Sequence, residues 1–264
     1  MKLTSTLLPL AALVQFVPAT LALIDATWSM TNAPPGGLSD ITFPMRIDMH
    51  PYNDGYFMAQ QVQFVKVPTG SGGFAYIGLE THMNSTTGQI ALSAIFGSTM
   101  NRTEPASASC RHGAHQGREG VVCNTTTWNG AGREYQLEIK NTGNTTWAGI
   151  VRDTVTGQHL QIGVLTLEDG IGGIMGDEGK GMVEWTPWTD DDVNPDHCDT
   201  LPYGSFFLGN PTTTHESTVG TQDEAHESGD CIDQVNFVTE PALAFGFLRV
   251  GIDMNCGTPG QTGE

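Results

Sequence analysis

The strongest constraint on this chain is a two-residue alternation of apolar and polar side chains that recurs along most of its length and is never replaced by a helical period. Tyr135, Leu137 and Ile139 alternate with Gln136, Glu138 and Lys140, the pattern of a strand with one face buried. Residues 41–49, 56–67, 74–80, 90–96, 146–153, 159–167, 182–188 and 243–252 read the same way. Short Gly- and Asn-containing turns separate them: Thr69-Gly-Ser-Gly-Gly, Asn129-Gly-Ala-Gly, Asn141-Thr-Gly-Asn and Thr156-Gly. Glycine supplies the positive φ that tight turns need, and asparagine tolerates it. About ten strands joined this way predict an all-β, two-sheet sandwich or jelly roll.

The first 22 residues read as a secretory leader. Lys2 is followed by an apolar run from Leu7 to Val17, and Thr20-Leu21-Ala22 offers a cleavage site that would start the mature chain near Leu23. The expected organisation is then leader 1–22, a sandwich core over 23–188, an irregular acidic excursion over 189–235, and a returning strand with a polar tail over 236–264. Four Asn-x-Ser/Thr sequons, at Asn84, Asn101, Asn124 and Asn144, mark surface segments of a secreted glycoprotein.

A formal charge of −18, from 29 acidic against 11 basic residues, argues against nucleic acid or an anionic membrane as partner, since phosphate contacts need clustered Lys and Arg. Five cysteines in an oxidising compartment should mostly pair. Cys110 and Cys123 close a short loop and are the expected disulfide. Cys198 then pairs with Cys231 or Cys256.

Several stretches resemble a family of secreted microbial proteins of unknown function. They are Gly55-Tyr-Phe-Met-Ala-Gln-Gln61, Tyr76-Ile-Gly-Leu79, Cys110-Arg-His-Gly-Ala114 and Gly120-Val-Val-Cys123. Tyr135-Gln-Leu, Thr146-Trp-Ala-Gly149 and Gln161-Ile-Gly163 continue the series. The resemblance spans roughly residues 25 to 190. It implies a concanavalin-like strand pattern and brings no catalytic residues with it.

The expected role is binding of cell-wall or extracellular carbohydrate through a groove of aromatics and carboxylates. Tyr56 and Gln60 share one face of their strand, Tyr76 and Glu80 share one face of another, and Trp185 and Trp188 flank the chain beside Glu184. The alternative is glycoside hydrolysis by Glu80 and Glu184, each a carboxylate inside an apolar strand. A polysaccharide lyase built on His82, His112, His115 and Arg111 is a weaker alternative, and a secreted protein-interaction factor without a sugar site is another. No cofactor is required by these readings. Calcium is the ion considered, because Asp190, Asp192, Asn194 and Asp196 alternate oxygen ligands; Pro195 and Leu201 replace the glycine and closing glutamate of an EF-hand. Gly170-Ile-Gly-Gly-Ile-Met-Gly lies between no strand and helix and is expected as a turn.

Overall fold

The computed structural model describes residues 21–49, 55–83, 87–114, 118–126, 128, 130, 132–185, 198, 201, 204–234, 236–242 and 247–253. Among these, strands β1 (Leu21–Thr31), β2 (Asp40–Met49), β3 (Tyr56–Val62), β4 (Ala75–Met83), β5 (Ile90–Ser98) and β6 (Glu104–Pro105) come first. They are followed by β7 (Cys110–Ala114), β8 (Arg118–Asn124), β9 (Glu134–Gly143), β10 (Thr146–Asp153), β11 (His159–Thr166) and β12 (Gly179–Trp185). The last are β13 (Gly204–Gly209), β14 (Val219–Glu227), β15 (Asn236–Ala242) and β16 (Phe247–Asp253). Gly229–Cys231 forms a 3-10 turn.

Two antiparallel eight-stranded sheets result. The first runs β14-β1-β12-β3-β4-β5-β8-β7 and the second β15-β16-β13-β2-β9-β10-β11-β6. They form the two-sheet sandwich that the alternation predicts. Residues 189–235, expected as an irregular excursion, supply β13 to the second sheet and β14 to the first.

Period-two alternation places one set of side chains between the sheets. Met58, Val62, Ile77, Leu79, Leu92 and Phe96 of the first sheet meet Ile41, Phe43, Leu137, Ile139, Trp147 and Ile162 of the second in one buried cluster. Three edge-to-face aromatic pairs cross the core: Trp28 with Phe43 at 5.2 Å, Tyr56 with Phe206 at 5.1 Å, and Phe64 with Trp147 at 5.0 Å between centroids.

The glycine-rich stretch from Gly170 is a turn built for backbone contact. Gly37 has φ +81°, and a Cβ there would lie 2.3 Å from the Gly173 carbonyl carbon. Only glycine on both sides lets Leu38 and Ile174 exchange backbone hydrogen bonds of 2.8 and 2.9 Å.

Cys110 pairs with Cys123 across β7 and β8, as expected, and Cys198 pairs with Cys231. The separations of 13 and 33 residues correspond to about 3 and 4 kcal/mol in the chain-entropy description. Cys256 lies outside the described residues.

Asp40, 3% exposed, ties β2 to the chain entering β14. Its carboxylate accepts hydrogen bonds from the Thr214 amide at 2.7 Å and from the Thr214, Thr213 and Ser39 hydroxyls. Burial alone would raise its pKa, but the bonds from Thr214, Ser39 and Thr213 together outweigh it and hold the carboxyl below its ordinary range. A depressed folded pKa means that the stabilisation is fully present above the unfolded value near 3.9 and is lost as pH falls through the lower folded value. Asp40→Asn should therefore cost about 1–3 kcal/mol at pH 7 and distinctly less near pH 2, read from urea unfolding at the two pH values. An equal loss at both would show that the charge is not what matters.

Candidate active site

The first sheet has a second face, turned away from the core. Phe57, Ala59, Tyr76, Ile95 and Val122 form a separate apolar cluster there, with Phe74 and Met182 packed on it. In strand register Glu184 stands opposite Phe57, Phe57 opposite Glu80, and Glu80 opposite Ser93. These four residues make one row across β12, β3, β4 and β5. At about 4.8 Å per strand, the Glu80 and Glu184 backbones lie about 10 Å apart with Phe57 between them.

His82 follows Glu80 by two residues on β4 and so rises from the same face. Its Nε2 is 2.7 Å from the Ser93 hydroxyl and 3.3 Å from Glu80 Oε2. Glu80 is 7% exposed and Ser93 3%. A carboxylate, an imidazole and a hydroxyl thus converge on one nitrogen beside an apolar wall. Burying three polar groups in such a place is costly unless they find partners; Nε2 can donate to Glu80 when it carries a proton or accept from Ser93 when it does not. The cluster has the three components of acyl transfer: a nucleophile, a base within hydrogen-bond reach of it, and a carboxylate to balance charge on the base. Unlike the arrangement in a Ser-His-Asp relay, the carboxylate and the hydroxyl meet the same ring nitrogen, rather than opposite ones.

On the same outward face a pocket of about 300 Å³ opens over β1, β12 and β3. Asp25 and Lys180 pair across it at 2.9 Å, and Gln61 and His226 also line it. The Gln61 amide donates to the Met182 sulfur at 3.0 Å, between this pocket and the row.

The expected sugar groove is corrected by this geometry. Tyr56 and Gln60 do share a face, but it is the inner one. Tyr56 is 0% exposed, stacked edge-on against Phe206, and its phenol pKa is pushed far up by burial. Gln60, also 0% exposed, donates to Gln222 at 3.1 Å inside the sandwich. Tyr76 and Glu80 lie on the opposite, outward face, yet Tyr76 is only 2% exposed and stands edge-on to Phe57 and Phe74. A Cβ at Gly97 would meet its ring at 2.5 Å, so that ring lies across β5. Trp185 packs half-buried against the core. Neither Tyr56 nor Tyr76 presents a face on which a sugar could stack. Glu184 does share the outward face with Glu80, as the glycosidase alternative required. Trp188 and the acidic run Asp190, Asp192, Asn194 and Asp196 lie outside the described residues.

Other candidates are dispersed. His112 pairs with Glu104 at 3.4 Å on the surface, and Arg111 donates to Asn124 at 2.9 Å, three strands from His82. His115 lies outside the described residues. Among the described residues no group of three or more His, Cys, Asp or Glu is placed to hold a metal ion, and no helix is long and apolar enough to cross a membrane. Of the sequon residues, Asn144 stands exposed at a turn with φ +49°, Asn101 donates to the Gly70 carbonyl at 3.1 Å, and Asn124 accepts from Arg111. Asn84 is outside the described residues.

Sequence reasoning missed Ser93 altogether and set His82 in a different chemistry. The available signals were the Glu80-x-His82 spacing and a lone hydroxyl inside the apolar run Ile90-Ala-Leu-Ser-Ala-Ile95.

No protein-family model matches the chain, and no curated protein matches it. Fourteen chains of solved structures do. One is scytalido-glutamic peptidase with a peptide-based transition-state analogue, at TM-score 0.47 and 9% identity over 88% of this chain and 98% of that one. Another is SCP-B, a member of the eqolisin family of peptidases, with the tripeptide Ala-Ile-His, at TM-score 0.42 and 10% identity over 88% and 98%. A third, scytalido-glutamic peptidase with a transition-state analogue inhibitor, gives 0.40 and 9% over 87% and 97%. These three solved structures are described as peptidases, where carbohydrate binding was expected.

Proposed function

We propose that this chain is a secreted, glycosylated hydrolase that cleaves acyl bonds in peptides, with Ser93 as nucleophile, His82 as base and Glu80 as its charge partner. The observation that carries the reading is the convergence of Ser93 Oγ and Glu80 Oε2 on His82 Nε2, at 2.7 and 3.3 Å, on the outward face of the first sheet. At 9–10% identity the solved peptidases speak to architecture alone. Secretion is supported by the leader-like residues 1–22, the four sequons and two disulfides.

The step needs the neutral imidazole with its proton on Nδ1. Nε2 then accepts the Ser93 proton as Oγ attacks the acyl carbon. The imidazolium so formed stands beside the Glu80 carboxylate, which balances the new charge. Nε2–H next protonates the leaving amine as the C–N bond breaks. Water, deprotonated by the same nitrogen, cleaves the acyl-Ser93 ester, releases the carboxylic acid and restores the serine hydroxyl.

A peptide fits the extent of this face. From Glu80 on β4 to Asp25 on β1 is three strands, about 14 Å, which an extended peptide covers in about four residues.

The test is proteolysis of casein and of a mixed fluorogenic peptide library from pH 3 to 8. Glu80→Gln, isosteric and uncharged, should lower kcat by about 10²–10³ with its melting temperature little changed. Glu184→Gln, about 10 Å away by strand spacing, should act chiefly on KM. Absence of cleavage across that range, or a Glu80→Gln enzyme as fast as wild type, would overturn the reading.

A further inference from the structure

Another cavity lies elsewhere, at the end of the sandwich between β10, β11 and the stretch after β8. It has a volume of about 620 Å³, within the range of small-molecule sites. Its origin is visible in the register. Leu160 stands directly opposite Val151, which is buried in the core. Leu160 therefore points inward, as Ile162 does two residues later, yet it is 48% exposed. The facing sheet ends before it can cover this side chain, and the uncovered end of the core is the cavity.

One flank is aromatic and has its polar groups already satisfied. The Trp128 indole N–H donates to the Tyr135 hydroxyl at 3.0 Å, and that hydroxyl donates to the Gly130 carbonyl at 2.9 Å. The two rings stand edge-to-face at 5.7 Å. This wall offers a ligand apolar contact and no hydrogen bond.

The rim is the reverse. Asp153 is its one carboxylate and three donors of the chain already bind it: Oδ1 accepts from the Val155 and Thr156 amides at 2.8 and 3.1 Å, and Oδ2 from Arg133 at 3.0 Å. Arg133, whose side chain is 45% exposed, makes one side-chain hydrogen bond, to Asp153, with the described residues. A guanidinium has five donors, so most of its capacity faces the opening. His159 and Gln158 complete that rim. A cavity with an aromatic wall and a rim whose guanidinium has more free donors than its neighbouring carboxylate has free acceptor positions favours an anion on an apolar body. This holds even in a chain of net charge −18, because contact hydrogen bonds decide it at short range, and the long-range field does not.

We infer that this cavity is a binding site for a compact apolar carboxylic acid, a ring or short chain seated against Trp128, Tyr135 and Leu160 with its carboxylate on Arg133. It is separate from the Glu80 cluster and independent of any activity there.

The experiment titrates the full chain with 2-naphthoate and, in parallel, with naphthalene-2-methanol, by calorimetry and by the shift of the Trp128 indole N–H resonance. The carboxylate should bind about tenfold or more tightly than the alcohol, the worth of one charge-assisted hydrogen bond. Arg133→Gln should remove that preference and leave the two ligands equal. Leu160→Trp, which fills the cavity without touching the rim, should weaken both. Equal affinity in the wild-type chain would overturn the inference, as would failure of either ligand to bind at millimolar concentration. Binding that neither variant alters would overturn it too, since the ligand would then lie elsewhere.

Discussion

Truncating Trp28 to alanine is expected to cost about 3–5 kcal/mol, and shortening it to phenylalanine far less. The indole is 0% exposed and spans from β1 to Phe43 on the opposite sheet. Alanine would forfeit that cross-sheet contact and leave a void that two eight-stranded sheets cannot collapse to fill. Phenylalanine keeps the edge-to-face partner. It also removes the indole N–H, a buried donor with no acceptor among the described residues, and so recovers part of the loss. The neighbouring strand makes room for this ring at Gly179, where a Cβ would lie 1.9 Å from the indole. Gly179→Ala alone should therefore cost about 1–3 kcal/mol by overpacking. Combined with Trp28→Phe its cost should fall, because the clashing atoms belong to the part of the indole that phenylalanine lacks. A double-mutant cycle by urea denaturation measures this; strict additivity of the two changes would show that Gly179 is not there to seat the indole.

The fold was readable where one face of a strand is buried and the other wet. Thr146 to Asp153 is predicted to the residue, because buried Trp147 and Val151 alternate with the more exposed Thr146, Ile150 and Arg152 along most of the strand. β14 was invisible for the opposite reason. It is an edge strand in which Ala225 is the lone buried side chain, so its sequence carries no apolar stripe to count. Glycine-rich β13 was taken as part of a loop. Its Phe206 and Leu208 are buried while its glycines pack against aromatic rings, as at Gly204, where a Cβ would meet Phe206 at 2.6 Å.

The site was half readable, and the limit is physical. Period two says that Tyr56 and Gln60 share a face, and that Tyr76 and Glu80 share one. It does not say which face looks into the core. That is set by how β3 and β4 register with their neighbours: Phe57, not Tyr56, lies opposite Glu80. A slip of one residue reverses every side chain, so a groove assembled from both pairs could not survive pairing in this register. Glu80 stood out because an ionisable group in an apolar strand needs a reason to be there. Ser93 did not, since a small hydroxyl in a strand is common and only its distance to His82 distinguishes it.

That distance leads to the largest effect expected of any single substitution here. If acyl transfer passes through Ser93, replacing it with alanine should lower kcat by about 10³ or more, since the covalent route is then closed. Its melting temperature should move by only a degree or two, because one hydroxyl is removed from a site where Glu80 remains as a partner for His82. A fluorophosphonate supplies a readout that needs no knowledge of the substrate. Ser93 Oγ attacks phosphorus, fluoride leaves, and the proton passes to His82 Nε2, giving a stable phosphonyl-serine detectable by mass. Labelling should map to Ser93, vanish in Ser93→Ala, and slow strongly in His82→Asn, which removes the base but preserves a polar side chain on β4. Should peptides be cleaved in a Glu80-dependent manner while Ser93 stays unlabelled and Ser93→Ala stays active, the outward cluster would still be the catalytic site. Water, activated by Glu80 and His82, would then be the nucleophile, and the serine would serve to hold the imidazole in place.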